Sequence, residues 1–331
     1  MISFKNDYSE GAHENIINLL VKSNLKQENG YGEDNYSTIA REKIKKTINN
    51  DNIDIHFISG GTQANLTVIS SILKPYESVI AAKTGHICVH ETGAIEATGH
   101  KINEIETKNG KLYPELILPI LNEHTDEHMV KPKLVFISNS TEIGTVYTKD
   151  ELVNLSEFCK SNDLLLYLDG ARLGSALTSE GNDLTLEDLS KLLDVFYIGG
   201  TKNGALIGEA IIIINDELKD NFRFNLKQKG ALLAKGRLIA IQFVELFTDN
   251  LFFKLATHAN LMAKIISDEI KKLGFEFLTD SKSNQIFPIL PNKLINKLEK
   301  NYDFYIWQKI DNDTSAIRIV TSWATKEILF F

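Results

Sequence analysis

Six short apolar runs, separated by helical patterns, constrain this chain more than any other feature. IDIHFISGG, ESVIAA, LVFISNS, LLLYLDG, VFYIGG and EAIIIIND read as strands, and several are apolar throughout rather than alternating. A strand covered on both faces reads that way, whereas a strand with one wet face alternates. TQANLTVISSIL follows the first run directly and reads as a helix, and LTLEDLSKLL reads as another before VFYIGG. TKDELVNLSEFCKSN opens with a capping box, Thr148 capping and Glu151 bonding back. The alternation predicts an α/β fold: a mostly parallel sheet with helices on both faces. It stops near residue 225. Two long helical patterns follow, at roughly 226–248 and 252–273, and then SNQIFPIL, a helical NKLINKLEK, FYIWQKI and AIRIVTSW. This part predicts a smaller C-terminal α+β domain. We divide the chain into a large domain, residues 1–240, and a small one, residues 241–331. The final TKEILFF reads as the start of a further helix cut by the chain end.

Composition excludes several classes. No stretch reaches the roughly 18 apolar residues of a membrane span. The N-terminus, MISFKNDYSEGAH, has no basic segment followed by an apolar run, so no secretory leader is expected. Cys88 and Cys159 are the only cysteines and lie far apart in sequence, which fits a reducing cytoplasm. The net charge of −8, with no basic arm, argues against nucleic acid as a partner.

In open α/β sheets ligands bind beyond the carboxyl ends of the strands. Five of the runs end in polar residues. IDIHFIS is followed by Gly60-Gly61-Thr62-Gln63, ESVIAA by a segment with His86 and Glu91, and LVFIS by NSTEIGT. LLLYL is followed by Asp169-Gly170-Ala171-Arg172, and VFYIGG by Thr201-Lys202. Gly-Gly-Thr opening a helix offers free N–H groups and a favourable dipole to a phosphate. It matches neither the nucleotide P-loop nor the dinucleotide fingerprint. Asp169, after five apolar residues, would be costly to bury without a partner. Each residue alone has a bland reading: a capped turn, an N-cap, a solvated lysine, a loop histidine. Together they meet one need. Pyridoxal phosphate requires an anion site, a carboxylate that keeps its ring nitrogen protonated, and a lysine amine to hold its aldehyde carbon. Apolar strands around Lys202 would favour its neutral, nucleophilic form, and a flexible Gly/Thr/Asn loop would let it reach. HTDEH, residues 124–128, fits a zinc-protease pattern, but it sits in a polar stretch with a proline soon after; no metal is expected.

SGGTQAN, GHICVHETGA, LDGAR and the lysine loop, in this order, resemble the low-specificity threonine aldolases. These belong to the β-eliminating lyase group of fold-type-I pyridoxal-phosphate enzymes. The resemblance runs from FKNDYSEG through YGEDNY to AIRIVTSWA. It implies that Gly61 and Thr62 hold the cofactor phosphate, that His86 stacks on the ring and serves as a base, and that Ala171 packs on the opposite face. Asp169 would pair with the ring nitrogen and Lys202 would carry the cofactor. Arg172 and Arg318 would clamp an amino-acid carboxylate, helped by Asn6, where the family usually has Ser. It also implies a homodimer or homotetramer with shared active sites. Tyr31 would then reach the site of a neighbouring subunit, as would KQKGALLAKGR, with Lys235 or Lys229 on the phosphate. Two departures stand out. The lysine context is GGTKNGALIG, without the usual preceding serine. SNSTEIGTVY replaces a segment whose histidine approaches the substrate hydroxyl, and Glu142 sits nearest that place. The implied reaction is cleavage of the Cα–Cβ bond of threonine or allo-threonine. β-Elimination, transamination, or an inactive cofactor-binding regulator are the alternatives.

Overall fold

The computed structural model describes residues 2–327. Seven strands form the central sheet: β1 (Asp54–Ile58), β2 (Glu77–Ala82), β3 (Ile102–Ile105), β4 (Lys131–Ser138), β5 (Leu165–Asp169), β6 (Val195–Gly199) and β7 (Glu209–Ile213). Their order is β1-β7-β6-β5-β4-β2-β3. β7 runs antiparallel to both its neighbours, and the remaining pairs are parallel. Every residue of β2, β6 and β7 is buried, including the polar residues Glu77, Ser78 and Glu209 that open β2 and β7 ahead of their apolar runs. Only β3 escaped the sequence reading: INEI is short and half polar, because it lies at the sheet edge. Two apolar clusters cover the two faces of this sheet and a third fills the small C-terminal part.

Loops shape the details. The capping box at Thr148 and Glu151 is formed. The helical pattern over 226–248 is two helices, Phe222–Gln228 and Arg237–Leu246, with a loop between them. Two glycines cause the break. Gly230 has φ +69°, and a Cβ on Gly236 would lie 2.9 Å from the Gly32 backbone nitrogen. The long helix Leu251–Lys272 leads to a small antiparallel sheet, in which Thr314–Val320 pairs with Gln285–Ile286, Ile289–Pro291 and Tyr305–Lys309. Ile2–Ser3 pairs with Tyr302–Asp303, so the chain's first strand joins this smaller part. Residue 240 lies inside Arg237–Leu246, a helix that packs on Glu14–Ser23 and Asn35–Ile48. We propose the turn Phe247–Asn250 as the domain division instead. The helix expected in TKEILFF falls largely on residues 328–331, outside the described residues. No described helix is long and apolar enough to cross a membrane.

Candidate active site

The parallel strands carry their carboxyl ends to one edge of the sheet, and the polar turns read from the sequence gather there. At the end of β1, Gly61 starts the helix Gly61–Ile72, and no side chain caps it. Its first N–H groups therefore point outward without a side-chain acceptor, which is the arrangement an anion fills.

Asp169 closes β5 at 4% exposure and is surrounded by donors. Its Oδ1 accepts the Tyr197 hydroxyl at 2.5 Å and the Ala171 N–H at 3.0 Å, and its Oδ2 accepts from Asn65 Nδ2 at 3.0 Å. Three donors compensate the burial of the carboxylate. Asn65 also donates to Glu91 Oε1 at 2.7 Å, and its own carbonyl accepts from the Tyr167 hydroxyl at 2.8 Å. Glu91 Oε1 lies 2.8 Å from His86 Nδ1. A carboxylate only accepts, so Nδ1 carries the proton and Nε2 is the nitrogen left to act as a base. One buried chain of hydrogen bonds thus joins Asp169 to His86.

Lys202 follows β6. The loop that holds it is not slack, as expected from its glycines, but locked. Thr201 N–H donates to Gly208 O at 3.2 Å, Gly208 N–H returns to Thr201 Oγ1 at 2.9 Å, and Asn203 Nδ2 reaches Phe252 O at 2.8 Å. A Cβ on Gly200 would come within 2.7 Å of Gly208 O, so glycine serves close packing here. Burial, and next the Arg172 guanidinium, hold the Lys202 amine below the usual lysine range. Asp7 and Asp169 act against this.

The two arginines are not alike. Arg172 is bound at both Nε and Nη2 by the Asp7 carboxylate, at 2.7 and 3.0 Å, and Asn284 Nδ2 adds a bond to Asp7 at 2.9 Å. Arg318 has no carboxylate partner among the described residues. It lies over the Tyr305 and Trp307 rings, 5.2 and 5.1 Å from their centres, and donates only to Lys5 O at 3.3 Å. Its buried Nε has no acceptor. A guanidinium held this way offers its charge to an incoming anion.

Glu142 reaches back to the His86 segment. Its Oε1 accepts the His86 backbone N–H at 2.9 Å and the Ser138 hydroxyl at 2.7 Å. Burial first, then the Asp169 charge, raise its pKa above the usual carboxylate range. The Asn6 side chain shapes a local turn, accepting from Tyr8 N–H and Ser9 Oγ. Tyr31, 45% exposed, sits under Lys227, while its N–H bonds Ala234 beside Lys235. Among the described residues, no hydrogen bond or ion pair joins Tyr31 or Lys235 to Asp169, Arg172 or Lys202. His124 closes the helix Pro114–Glu123 and bonds its Ile120 carbonyl, with Glu127 and His128 exposed beyond it.

Sequence reasoning missed Asp7, Asn65, Glu209 and His90. His90 lies one turn after His86, with ring centres 5.4 Å apart. Asn65 had a signal, an amide inside an apolar helix, and so had Glu209, a carboxylate opening an apolar strand. Asp7 had none, because its partner is 165 residues away.

The β-eliminating lyase family matches residues 12–291. The chain belongs to the β-eliminating lyases. Within that family it is 32% identical over 328 residues to a low specificity L-threonine aldolase of Pseudomonas sp., covering 98% of this chain and 93% of that one. It is 31% identical to the Pseudomonas aeruginosa enzyme of the same description, over 97% of this chain and 93% of the relative. A solved structure of Leishmania major threonine aldolase is 50% identical, with a TM-score of 0.99, covering 100% of this chain and 96% of that one. Thermus thermophilus aspartate aminotransferase, at 14% identity and a TM-score of 0.74, shares the fold. The fold-type-I architecture read from the sequence therefore stands. β-Eliminating lyases of this fold use pyridoxal phosphate. The residues of this lyase fit that group: an uncapped helix N-terminus suits its phosphate, a triply bonded carboxylate its ring nitrogen, and an amine of lowered pKa its aldehyde.

Proposed function

We propose that this lyase splits the Cα–Cβ bond of a β-hydroxy-α-amino acid, threonine or allo-threonine, releasing glycine and acetaldehyde. The observation that carries this reading is Arg318, a partly buried guanidinium with no carboxylate partner among the described residues and a buried, unpaired Nε, whose field reaches Arg172. An amino-acid carboxylate is the anion that suits it. The aldolase relatives support the reaction class. When bound, pyridoxal phosphate supplies the electron sink for the pair released from the breaking bond.

The chain's own residues do the rest. Gly61 and Thr62 N–H groups would hold the phosphate, and Asp169 would keep a proton on the ring nitrogen. Lys202 would hold the cofactor through its aldehyde carbon, and Ala171, following Asp169, would border the ring. Arg318 orients the substrate carboxylate; Arg172, already neutralised by Asp7, lends its remaining N–H donors and fixes the site wall, with Asn6 in the neighbouring turn. His86 Nε2 takes the β-hydroxyl proton as the bond to Cα breaks and the aldehyde carbonyl forms. Glu142 positions His86 through its backbone N–H.

Three assays test this. Wild-type protein should release glycine and aldehyde from threonine, allo-threonine or phenylserine; deamination or transamination of another amino acid instead would favour the alternative chemistry. Arg318→Ala should lose about 2–4 kcal/mol of transition-state stabilisation, the scale of a lost charge-assisted contact, with cofactor content intact. Intact activity with lowered stability would assign Arg318 a structural role only. His86→Phe should slow aldehyde release about 10²–10⁴-fold, the worth of a positioned base. Glu142→Gln keeps an acceptor for the His86 N–H and should stay close to wild type. If the two results are reversed, Glu142 is the base.

We further propose a cytoplasmic homo-oligomer. Both cysteines are free thiols. Ile17, Val21 and Leu25 expose an apolar stripe on and just after the helix Glu14–Ser23, and Leu206, Ile207 and Leu238 are exposed as well. Leu206 and Ile207 directly follow the lysine loop, so a partner on this face would border the active site. Tyr31 and Lys235 would then serve that partner. Sedimentation of the purified protein reads the stoichiometry.

A further inference from the structure

Glu209 is a buried carboxylate, 5% exposed, at the start of β7, and the reaction above does not use it. It lies opposite Gly199 in the ladder between β6 and β7, directly beneath the lysine turn. Its Oε2 accepts the Gly200 N–H at 2.8 Å, and the Thr201 hydroxyl also stabilises its ionised form. Those two residues immediately precede Lys202. We propose that Glu209 is a positioning residue for Lys202: it ties down the turn that presents the amine and supplies a negative charge against which the amine gains and loses its proton. The proposal deepens the reading of Lys202 as the cofactor lysine and rests on it.

The charges around this carboxylate come from each packed element. Lys202 faces it from the turn and Asp169 from the end of β5. Tyr167 and Tyr197 feel its field from β5 and β6. Ile58, its ladder partner on β1, is apolar. Burial pushes the Glu209 carboxyl up to about 7, against the pull of Thr201, the Gly200 N–H and Lys202. It is therefore neutral below that pH and charged above it. In the charged form it raises the proton affinity of Lys202, opposing burial and Arg172, in company with Asp7 and Asp169.

The test is a pH titration of Lys202 in the apoprotein, by timed modification with an amine reagent and peptide mass spectrometry. Glu209→Gln keeps an acceptor for Gly200 but removes the charge. It should move the Lys202 profile to lower pH by about 0.5–1 unit, a roughly three- to tenfold faster modification at pH 8. Glu209→Ala removes the acceptor as well and should also load pyridoxal phosphate more weakly. A Gln profile that superposes on wild type, with only thermal stability changed, overturns the proposal. If Glu209→Ala does not fold, the Glu209→Gln profile alone decides, by the same two outcomes. Failure of the underlying reading shows separately, as a borohydride label on a lysine other than Lys202.

Discussion

Lys202→Ala should leave a folded protein that has lost roughly 10³-fold or more of its activity, because the amine we propose as the covalent holder of the cofactor is gone. Folding should survive for a specific reason. Lys202 makes no hydrogen bond or ion pair among the described residues, so its removal leaves no donor or acceptor unpaired; Asp7 and Glu209 lose only the field of an amine already held below the usual lysine range by burial. The melting temperature should stay at or above the wild-type value. Borohydride treatment of the loaded wild type should leave the cofactor on the peptide containing Lys202 and bleach the yellow colour. The alanine variant should bind pyridoxal phosphate without any covalent label. A label on Lys235, or full activity in the variant, would move the site elsewhere.

Asp7→Ala should produce the largest loss of stability. Asp7 and Arg172 are 1% and 13% exposed at their side chains and share a two-bond contact. Removing one member of a buried pair leaves the other charge uncompensated, at about 3–5 kcal/mol. Chemical denaturation should read this as a lowered midpoint. The double variant Asp7→Ala, Arg172→Met should recover part of the loss, which a simple cavity at residue 7 would not allow. The pH dependence has a defined sign. Arg172 and the bonds from Arg172 and Asn284 hold the folded Asp7 carboxyl below its ordinary value of 3.8, although burial alone would raise it. Its stabilisation is therefore complete above the unfolded value and fades as pH falls through the lower folded one. Acid denaturation of wild type should be steeper in that window than for Asp7→Asn.

The fold was largely legible because buried parallel strands leave an unmistakable pattern, and VFYIG and EAIII are buried at every position. The candidate site was legible because strand ends in such sheets collect ligands, which picked out Asp169, His86 and Lys202 as a cluster; their cofactor roles remain our proposal. What stayed hidden depends on contacts distant in sequence. Nothing near Arg172 announces that Asp7 will take up its charge, and nothing in AIRIV announces that aromatic rings will cradle Arg318. The lysine loop misled for another reason. Glycine in a sequence signals either freedom or crowding, and only the Gly200–Gly208 approach decides for crowding.

Asn65 has a wider meaning through its position. It stands four residues after Gly61 on the same helix, about 6 Å along the axis. The groups that would grip the phosphate and the amide that steadies Asp169, and through Glu91 also His86, therefore belong to one rigid rod. A ligand that draws the tip of that rod inward also sets the far amide, so a phosphate held there would work as a gauge as well as an anchor. Pyridoxal without its phosphate should then suffer twice, once in affinity and again in the register of its ring against the carboxylate. An added inorganic phosphate ion would repair the second defect more fully than the first.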